Sequence, residues 1–213
     1  MQVEKELFDA LYDAVIAGNV QKARKIAEQM VQRELSVNVA LEKMKDAMHM
    51  VDEKYEKKEY FIVDVASAAS AMKEAFKVLE PHLQVESAKV VGKVVIGSLK
   101  GNIQGLGKDI VAATLRAAGL DVVDLGVDVS PNAFVDAAVR EKAQIIAISI
   151  SIEETVPFLK ELVNLIQKRR LGGKIKTIIG GQAVSNETCK EYEIDAYAKD
   201  AWECVKKVRG LLA

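Results

Sequence analysis

The sequence predicts two parts, a four-helix bundle over residues 1–87 and an α/β domain with a doubly wound parallel sheet over residues 88–213. Up to about residue 80, apolar residues recur at helical spacing. After residue 88, short apolar β-branched runs alternate with helical stretches. The hydrophobic period changes only once, and we therefore expect a single domain boundary at that point.

The first part contains four predicted helices, over about residues 3–17, 20–35, 37–55 and 62–79. In the third and fourth of them, apolar side chains follow one another at alternating steps of four and three residues, which forms a stripe on one helix face. Gly18 is expected to end the first helix, Ser36 to cap the third, and Pro81 to close the fourth. Four helices with short connections predict a small antiparallel bundle.

The second part contains five predicted strands, Val90–Ile96, Val122–Leu125, Ile145–Ile148, Thr177–Ile179 and a weak one at Ala196–Ala198. Helices are expected between and after them, over about residues 108–118, 132–142, 154–170, 186–191 and 200–212. Nearly all-apolar strands separated by helices indicate a parallel sheet that is covered on both faces, a Rossmann-like arrangement. Such sheets bind ligands beyond the carboxyl ends of their strands.

Charge and composition exclude several classes of protein. The 213 residues include 30 Lys and Arg and 31 Asp and Glu, and neither half has the basic excess of a nucleic-acid binder. No apolar run approaches the roughly 18 residues of a membrane span, and the charged N-terminus lacks a leader pattern, so we expect a cytoplasmic protein. Cys189 and Cys204 form no CxxC pair and are expected to be buried thiols.

The loop after the first predicted strand is rich in glycine, with four glycines in the eleven residues 97–107. Glycines allow the backbone to approach a bulky ligand, because no Cβ stands in the way. The loop does not fit the phosphate-binding pattern, since Asn102 and Asp109 occupy positions that require Gly and Ser or Thr. The dinucleotide pattern fails as well, at Ile110. A nucleotide-binding enzyme is therefore the weakest hypothesis.

Two further groups of residues follow the third and fourth predicted strands. The hydroxyls of Ser149 and Ser151 could bind a ligand or could cap the next helix. The pair Gly180-Gly181 could allow close backbone contact or could form a simple turn. Each signal is weak alone, but all of them are expected at the same edge of the sheet.

The spacing of these groups resembles the cobalamin-binding domains of methionine synthase and of the corrinoid proteins of methyltransferase systems. That family carries Asp-x-His-x-x-Gly, about 41 residues, Ser-x-Leu, 26–28 residues and Gly-Gly. Here Asn102–Gly107 is followed by 41 residues, Ser149-Ile150-Ser151, 28 residues and Gly180-Gly181. The N-terminal half resembles the helical cap of the same family.

The resemblance implies that cobalamin binds at this edge of the sheet, with its nucleotide tail in a slot. The residues that it assigns to the cofactor are Gly101, Asn102, Ile103, Gln104, Gly105, Gly107, Ser149, Ser151, Thr155, Gly180 and Gly181, together with Ile62, Val63 and Val65 of the fourth helix. The alternative for the helix residues is ordinary bundle core. The linker Val85–Lys89 is the expected hinge for a lid motion of the bundle.

The chain departs from the family at the cobalt ligand. Gln104 occupies the position of the histidine, and Asn102 that of the aspartate that holds the imidazole. An amide oxygen is a poor cobalt donor, and the only histidines, His49 and His82, lie in the helical part. No side chain is therefore expected to ligate the metal. Either cobalamin binds base-off without a histidine, or the site has decayed in a non-catalytic cobalamin-responsive or interaction module.

The resemblance implies a methyl carrier that shows little turnover alone. It would accept a methyl group through a substrate-specific methyltransferase and donate it through a second methyltransferase that acts on a folate or a thiol. Its partners could also include a reductive activase, whereas nucleic acid and membranes are not expected. No side chain is assigned as a catalytic acid, base or nucleophile, since the cofactor supplies the chemistry.

Overall fold

The structure, a computed structural model, describes residues 2–83 and 92–213. The chain divides into two compact units, residues 1–84 and residues 85–213. The predicted boundary at residue 87 and the predicted hinge at Val85–Lys89 lie outside the described residues. Each unit is considered by itself below.

The helical unit contains α1 (Gln2–Ile16), α2 (Val20–Gln32), α3 (Val37–Glu56) and α4 (Ile62–Leu79), followed by a 3-10 turn at Glu80–His82. Gly18 ends α1 in the left-handed conformation, at φ +62°. Ser36 caps α3 as predicted, because its hydroxyl accepts a hydrogen bond from the amide of Val39. Each of the four helices buries apolar side chains, and the largest fully buried ones are Leu11, Met30, Met44 and Leu79.

The second unit contains a parallel sheet of five strands in the order β2-β1-β3-β4-β5. The strands are β1 (Lys93–Ser98), β2 (Asp121–Asp124), β3 (Ile145–Ser149), β4 (Lys176–Gly180) and β5 (Ala196–Tyr197). The helices are α5 (Leu106–Ala117), α6 (Pro131–Glu141), α7 (Phe158–Lys168), α8 (Asn186–Tyr192) and α9 (Ala201–Leu212). The predicted doubly wound α/β class is confirmed.

Separate apolar cores cover the two faces of this sheet. On one face, Phe134 of α6 and Leu159 of α7 pack with Ile146 of β3. On the other face, Leu115 of α5 and Val208 of α9 pack with Ile145. Successive residues of β3 thus enter different cores, which explains why the strands are apolar at nearly every position.

Two helices begin at positions different from the predicted ones. Helix α5 begins at Leu106 rather than near residue 108, because the carbonyl of Gly105 accepts the amide of Asp109 and so starts the helical ladder earlier. Gly107 therefore lies in the first turn of a helix and not in the loop. Helix α7 begins at Phe158 rather than near residue 154, since Pro157 has no amide hydrogen and separates α7 from a short 3-10 helix at Glu153–Thr155.

Candidate functional site

The register of the sheet aligns the residue groups that the sequence singled out. Ser98 at the end of β1 lies opposite Ser149 at the end of β3, and Ser149 lies opposite Gly180 at the end of β4. The chain order reverses between β1 and β3, which is the switch point where open α/β sheets bind ligands. The loop after β1 (residues 99–105) and the ends of β3 and β4 are called the carboxyl edge below.

Hydrogen bonds fix the loop after β1 at both ends. The hydroxyl of Ser98, which is fully buried, donates to the main-chain carbonyl of Gln104 at 2.8 Å. The amide of Gly101 donates to Oδ1 of Asp128 at 2.7 Å. Gly101 adopts φ +84°, which side chains other than glycine rarely tolerate. The loop is thus ordered by the protein itself.

Asn102 joins this loop to the end of β3. Its side chain is fully buried, and Nδ2 donates to the carbonyl of Ser149 at 3.2 Å. Its Oδ1 accepts the main-chain amide of Gln104 at 3.1 Å. Asn102 therefore binds the main chain of residue 104 rather than its side chain.

The surface beside this loop is apolar and exposed. Ile103 is 74% exposed, and Val127, in the loop after β2, is 41% exposed. A Cβ at Gly105 would lie 3.1 Å from Cγ1 of Val127, which places Val127 against the same loop. The sequence analysis missed Val127, although an apolar residue directly after Gly126 at the end of a strand was a usable signal. The side chain of Gln104 is exposed as well.

The glycines at and beside the carboxyl edge differ in the space around them. A Cβ at Gly181 would lie 2.0 Å from the carbonyl oxygen of Ile150, and one at Gly180 would lie 2.8 Å from that of Ala198. Close packing within the protein explains both. A Cβ at Gly107 or Gly126, in contrast, would meet no described atom within 4 Å. These two glycines leave open space where a bulky ligand could lie.

The hydroxyls after β3 differ in their availability. Ser149 and Ser151 are half-buried, and among the described residues neither hydroxyl has a hydrogen-bond partner. Neither caps a helix, since the 3-10 helix begins after Ile152 and α7 after Pro157. The hydroxyl of Thr155 donates to the carbonyl of Ile152 at 2.7 Å. Ser149 and Ser151 are thus the hydroxyls free to bind a ligand.

An ion cluster forms around the buried Lys108, just after the loop in the chain, and the sequence analysis missed it. Lys108 is only 3% exposed, and its Nζ contacts Oδ1 of Asp109 at 2.7 Å and Oδ2 of Asp124 at 2.5 Å. The other oxygen of Asp124 accepts the amide of Gly126 at 2.9 Å. The cluster therefore ties the first turn of α5 to the loop after β2.

In the helical unit, α4 begins with an exposed apolar turn. Phe61, Ile62 and Val63 are each about two-thirds exposed, at 70%, 67% and 66%, whereas Val65 is half-buried. Oδ2 of Asp64 accepts the amide of Phe61 at 2.8 Å and fixes this turn.

Further along α4, the hydroxyls of two serines are hydrogen-bonded within the helix. The hydroxyls of Ser67 and Ser70 donate to the carbonyls of Val63 and Ala66, both at 2.8 Å. Because these hydroxyls are satisfied within the helix, this exposed face of α4 presents few free polar groups.

The described residues offer few grouped side chains that could bind a metal. Among the described residues, no group of three or more His, Cys, Asp or Glu side chains could hold a metal ion. The sequence has no histidine after His82, so the sheet unit offers no imidazole. In the described part of the chain, no helix is long and apolar enough to cross a membrane.

Two family models match the chain, and each is described as a B12 binding domain. One matches residues 92–204, in the sheet unit, and the other matches residues 7–80, in the helical unit. The first match covers more than half of the chain.

Curated relatives and solved structures agree with these matches. Trimethylamine corrinoid protein 1 of Methanosarcina acetivorans is 32% identical over 215 residues, which cover 100% of both chains. Trimethylamine corrinoid protein 2 of the same organism is 34% identical over 167 residues, 78% of this chain and 77% of the relative. The structure of the Methanosarcina barkeri monomethylamine corrinoid protein superposes with a TM-score of 0.90 at 27% identity, over 97% of this chain and 99% of that one. By its B12 binding domains and these relatives, the chain belongs to the corrinoid proteins of methyltransferase systems.

Proposed function

We propose that this protein is the corrinoid-binding methyl carrier of a methyltransferase system. The observation that carries the proposal is the open space above Gly107, at a sheet edge that the protein itself keeps ordered. Several of the curated relatives are trimethylamine or dimethylamine corrinoid proteins, which favours a methylamine as the methyl donor.

The residues of the carboxyl edge fit a corrinoid in chemistry as well as in space. Exposed Ile103 and Val127 offer apolar contact, and Ser149 and Ser151 offer free hydroxyls for the nucleotide tail. The backbone around these side chains belongs to further residues that the resemblance assigns to the cofactor: Gly101, Gly105, Thr155, Gly180 and Gly181. Ile62, Val63 and Val65 are assigned to the corrin by the resemblance. When bound, the corrinoid supplies the nucleophilic cobalt that carries the methyl group.

Gln104 leaves the lower side of the metal without an imidazole. Its neutral amide is a weaker donor than histidine and does not gain or lose charge by protonation near neutral pH. We therefore propose that the corrinoid binds base-off with no histidine ligand. With no histidine of this chain on the metal, a bound corrinoid would more readily hold its cobalt as cobalt(I), the oxidation state that accepts a methyl group.

The partners follow from the carrier role. We propose a substrate-specific methyltransferase, a second methyltransferase that acts on a folate or thiol, and a reductive activase, all in the cytoplasm. The solved structure of a methanol:cobalamin methyltransferase complex from Methanosarcina barkeri, at 24% identity and a TM-score of 0.54, supports the fold of this chain only.

The test is to incubate the full chain with hydroxocobalamin, pass it through a desalting column and record the absorption spectrum. Corrin that stays with the protein and has a base-off spectrum supports the carrier. A base-on spectrum contradicts the proposed tail slot, because the tail would still ligate cobalt. Colourless protein contradicts the carrier and favours the decayed module.

Two variants with the same chemical change serve as test and control. Ile103→Asp adds a charge to the proposed apolar contact and should reduce retention of the corrin at least about tenfold, since a charge facing an apolar ligand is costly. Val139→Asp makes the same change at a residue that is 49% exposed near the end of α6, at the opposite edge of the sheet. It should leave retention unchanged. Equal retention by both variants would contradict the proposed contact.

A further inference from the structure

We infer that Asn102 is the positioning residue of the site and that it acts through a neutral side chain that offers both a donor and an acceptor. It clamps the loop that carries Gln104 to the end of β3, and the clamp needs one donor and one acceptor on the same side chain. The inference deepens the proposed function and rests on it, because the clamped segments are those assigned to the corrinoid.

The two hydrogen-bond partners of the Asn102 side chain determine which of its atoms must donate and which must accept. The amide of Gln104 can only donate, so the atom facing it must be an acceptor. The carbonyl of Ser149 can only accept, so the atom facing it must be a donor. The main chain of Asn102 is satisfied as well, since its amide donates to Leu99 and its carbonyl accepts from Asp128. The residue that makes all of these hydrogen bonds, Asn102, is fully buried.

An aspartate would not fit this place in its charged form. It would direct a carboxylate oxygen at the carbonyl of Ser149, which already accepts the amide of Leu99 at 3.1 Å. Two acceptors would then face each other away from water, an arrangement that disfavours the ionised carboxylate. A protonated aspartic acid could donate to Ser149 and restore the clamp.

The clamp also explains how the edge keeps its form with glutamine at position 104. The contact of Asn102 is to the main chain of residue 104, so the position of that main chain does not depend on the side chain attached to it. Ser98 holds the carbonyl of the same residue. The family's ligand position is therefore held in place by two residues that do not touch the ligand side chain. In this role Asn102 needs no histidine as a partner.

The experiment compares Asn102→Asp with the natural full chain between about pH 5 and pH 8.5. The melting temperature of the cofactor-free protein and the affinity for hydroxocobalamin are both measured. At high pH we expect the melting temperature of Asn102→Asp to lie about 5 °C or more below that of the natural protein. Affinity should fall about tenfold or more. Both differences should shrink as the pH falls, because the buried carboxyl becomes protonated and regains a donor.

The control is Asp128→Asn, which makes the reverse change in the loop after β2, at a residue that hydrogen-bonds the loop of Asn102. Its amide oxygen can still accept the amide of Gly101, so no pH-dependent difference is expected. The neighbouring charged side chains are Lys100, Asp128, Glu153, Glu154 and the Lys108–Asp109–Asp124 cluster. All but the substituted one are shared by each pair of proteins compared, so the comparison within a pair isolates the effect of the substitution.

The outcomes separate this inference from the proposed function. An Asn102→Asp protein that matches the natural one at every pH overturns the clamp, and so does a loss that does not vary with pH. If the natural protein retains no hydroxocobalamin, the proposed function fails. The melting temperatures still decide whether Asn102 acts as the clamp.

Discussion

Gly181 lies so close to Ile150 that a Cβ at residue 181 would be 2.0 Å from the carbonyl oxygen of Ile150. Gly181 also adopts φ +127°, which side chains other than glycine rarely tolerate. The contact joins the loop after β4 to the end of β3, and the amide of Ile150 donates to Gly180 across the same junction at 2.9 Å. The glycine pair therefore serves the protein's own packing, whatever ligand binds beside it.

Substitutions at two glycines should have opposite effects on the stability of the cofactor-free protein. Gly181→Ala is expected to prevent stable folding or to lower the melting temperature by more than 10 °C, because the methyl group would overlap backbone atoms. Gly107→Ala should leave the cofactor-free protein as stable as the natural one or up to about 1 kcal/mol more stable, since it lies in the first turn of α5 and meets no neighbour. It should weaken hydroxocobalamin binding about tenfold or more.

The control for Gly107→Ala is Gly210→Ala. Gly210 also lies in a helix, α9, and a Cβ there would also meet no described atom within 4 Å. It should change stability in the same direction and leave corrinoid binding unaltered. Corrinoid affinity that is equal in the Gly107→Ala protein and the natural protein would show that the open space at residue 107 is not used by the ligand. Thermal unfolding and a binding titration supply both measurements.

Asp195 should make part of the protein's stability depend on pH. Burial by itself raises the pKa of this carboxyl, but hydrogen bonds from Lys176 and Thr177 outweigh burial and hold the pKa below its ordinary value. The stabilisation is therefore present above the unfolded-state pKa of about 3.9 and is lost as the pH falls through the folded-state pKa. Asp195→Asn should lower the free energy of unfolding by about 1–3 kcal/mol at pH 7, and the difference should disappear in acid.

Denaturant unfolding at pH 7 and below pH 4 measures the effect of Asp195. Asp136 provides the control, because its ion pair with Arg169 has a carboxylate that is more than half exposed. Asp136→Asn should change the free energy of unfolding by about 1 kcal/mol or less. A loss at Asp195 that persists unchanged in strong acid would mean that its charge is not what stabilises the fold.

Both cysteines should be inert in the folded protein. Burial raises the pKa of the Cys189 thiol to about 11 and that of the Cys204 thiol to about 12. Since the thiolate is the reactive form, Ellman's reagent at pH 8 should react far more slowly with the folded protein than with protein in guanidinium. In the Cys204→Ala variant the half-buried Cys189 is the remaining thiol, so the labelling rate of this variant is that of Cys189. Labelling of folded protein at the rate of unfolded protein would contradict the burial of these thiols.

Local sequence patterns were sufficient for the helices and strands. The stripes of the bundle, the cap at Ser36 and the all-apolar runs of the sheet each arise from neighbours in the chain, so a linear pattern records them. Helix ends were less predictable, because the early start of α5 depends on one carbonyl, that of Gly105.

The sequence predicted that the candidate residues meet at one end of the sheet, but it did not predict the contacts that each of them makes. The spacing of the three residue groups located the carboxyl edge, because parallel strands bring their ends together. What remained hidden were contacts between distant segments, such as Gly181 with Ile150, Lys108 with Asp124, and Asn102 with Ser149. Such contacts are set by the sheet register and the loop conformations, and no local pattern encodes them.

The exposed turn at the start of α4 gives a prediction for the helical unit. Replacing Ile62 and Val63 by serine should change the free energy of unfolding by less than about 1 kcal/mol, since both side chains are mostly exposed. Retention of hydroxocobalamin should fall several-fold, and cyanide should reach the bound cobalt faster. Val39→Ser, at a residue 45% exposed on α3, is the control and should change neither quantity. Unchanged cyanide kinetics would contradict the assignment of these residues to the corrin.

Gln104→His should give the bound metal a nitrogen ligand from residue 104, which the proposed base-off binding lacks. The main chain of residue 104 is held by Asn102 and Ser98, so the new side chain should start from the same backbone position as the glutamine. Imidazole is a far better donor for cobalt than a carboxamide. We expect the absorption spectrum to shift and the cobalt(II) electron paramagnetic resonance signal to gain nitrogen splitting. Gln104→Ala, which adds no donor, should retain the base-off spectrum of the natural protein.

The new ligand should also introduce a pH dependence. Asn102 offers no carboxylate to support the imidazole, and a proton competes with the metal for its nitrogen. An unsupported histidine has a pKa near 6.5, so the ligated fraction of Gln104→His should decline as the pH falls below neutrality, while the spectrum of the natural protein stays constant. A titration of both proteins between about pH 5 and pH 8.5 checks this difference. Nitrogen splitting in the natural protein or in Gln104→Ala would mean that the cofactor keeps a nitrogen ligand from another source, and the proposal of a base-off corrinoid without a histidine ligand would fail.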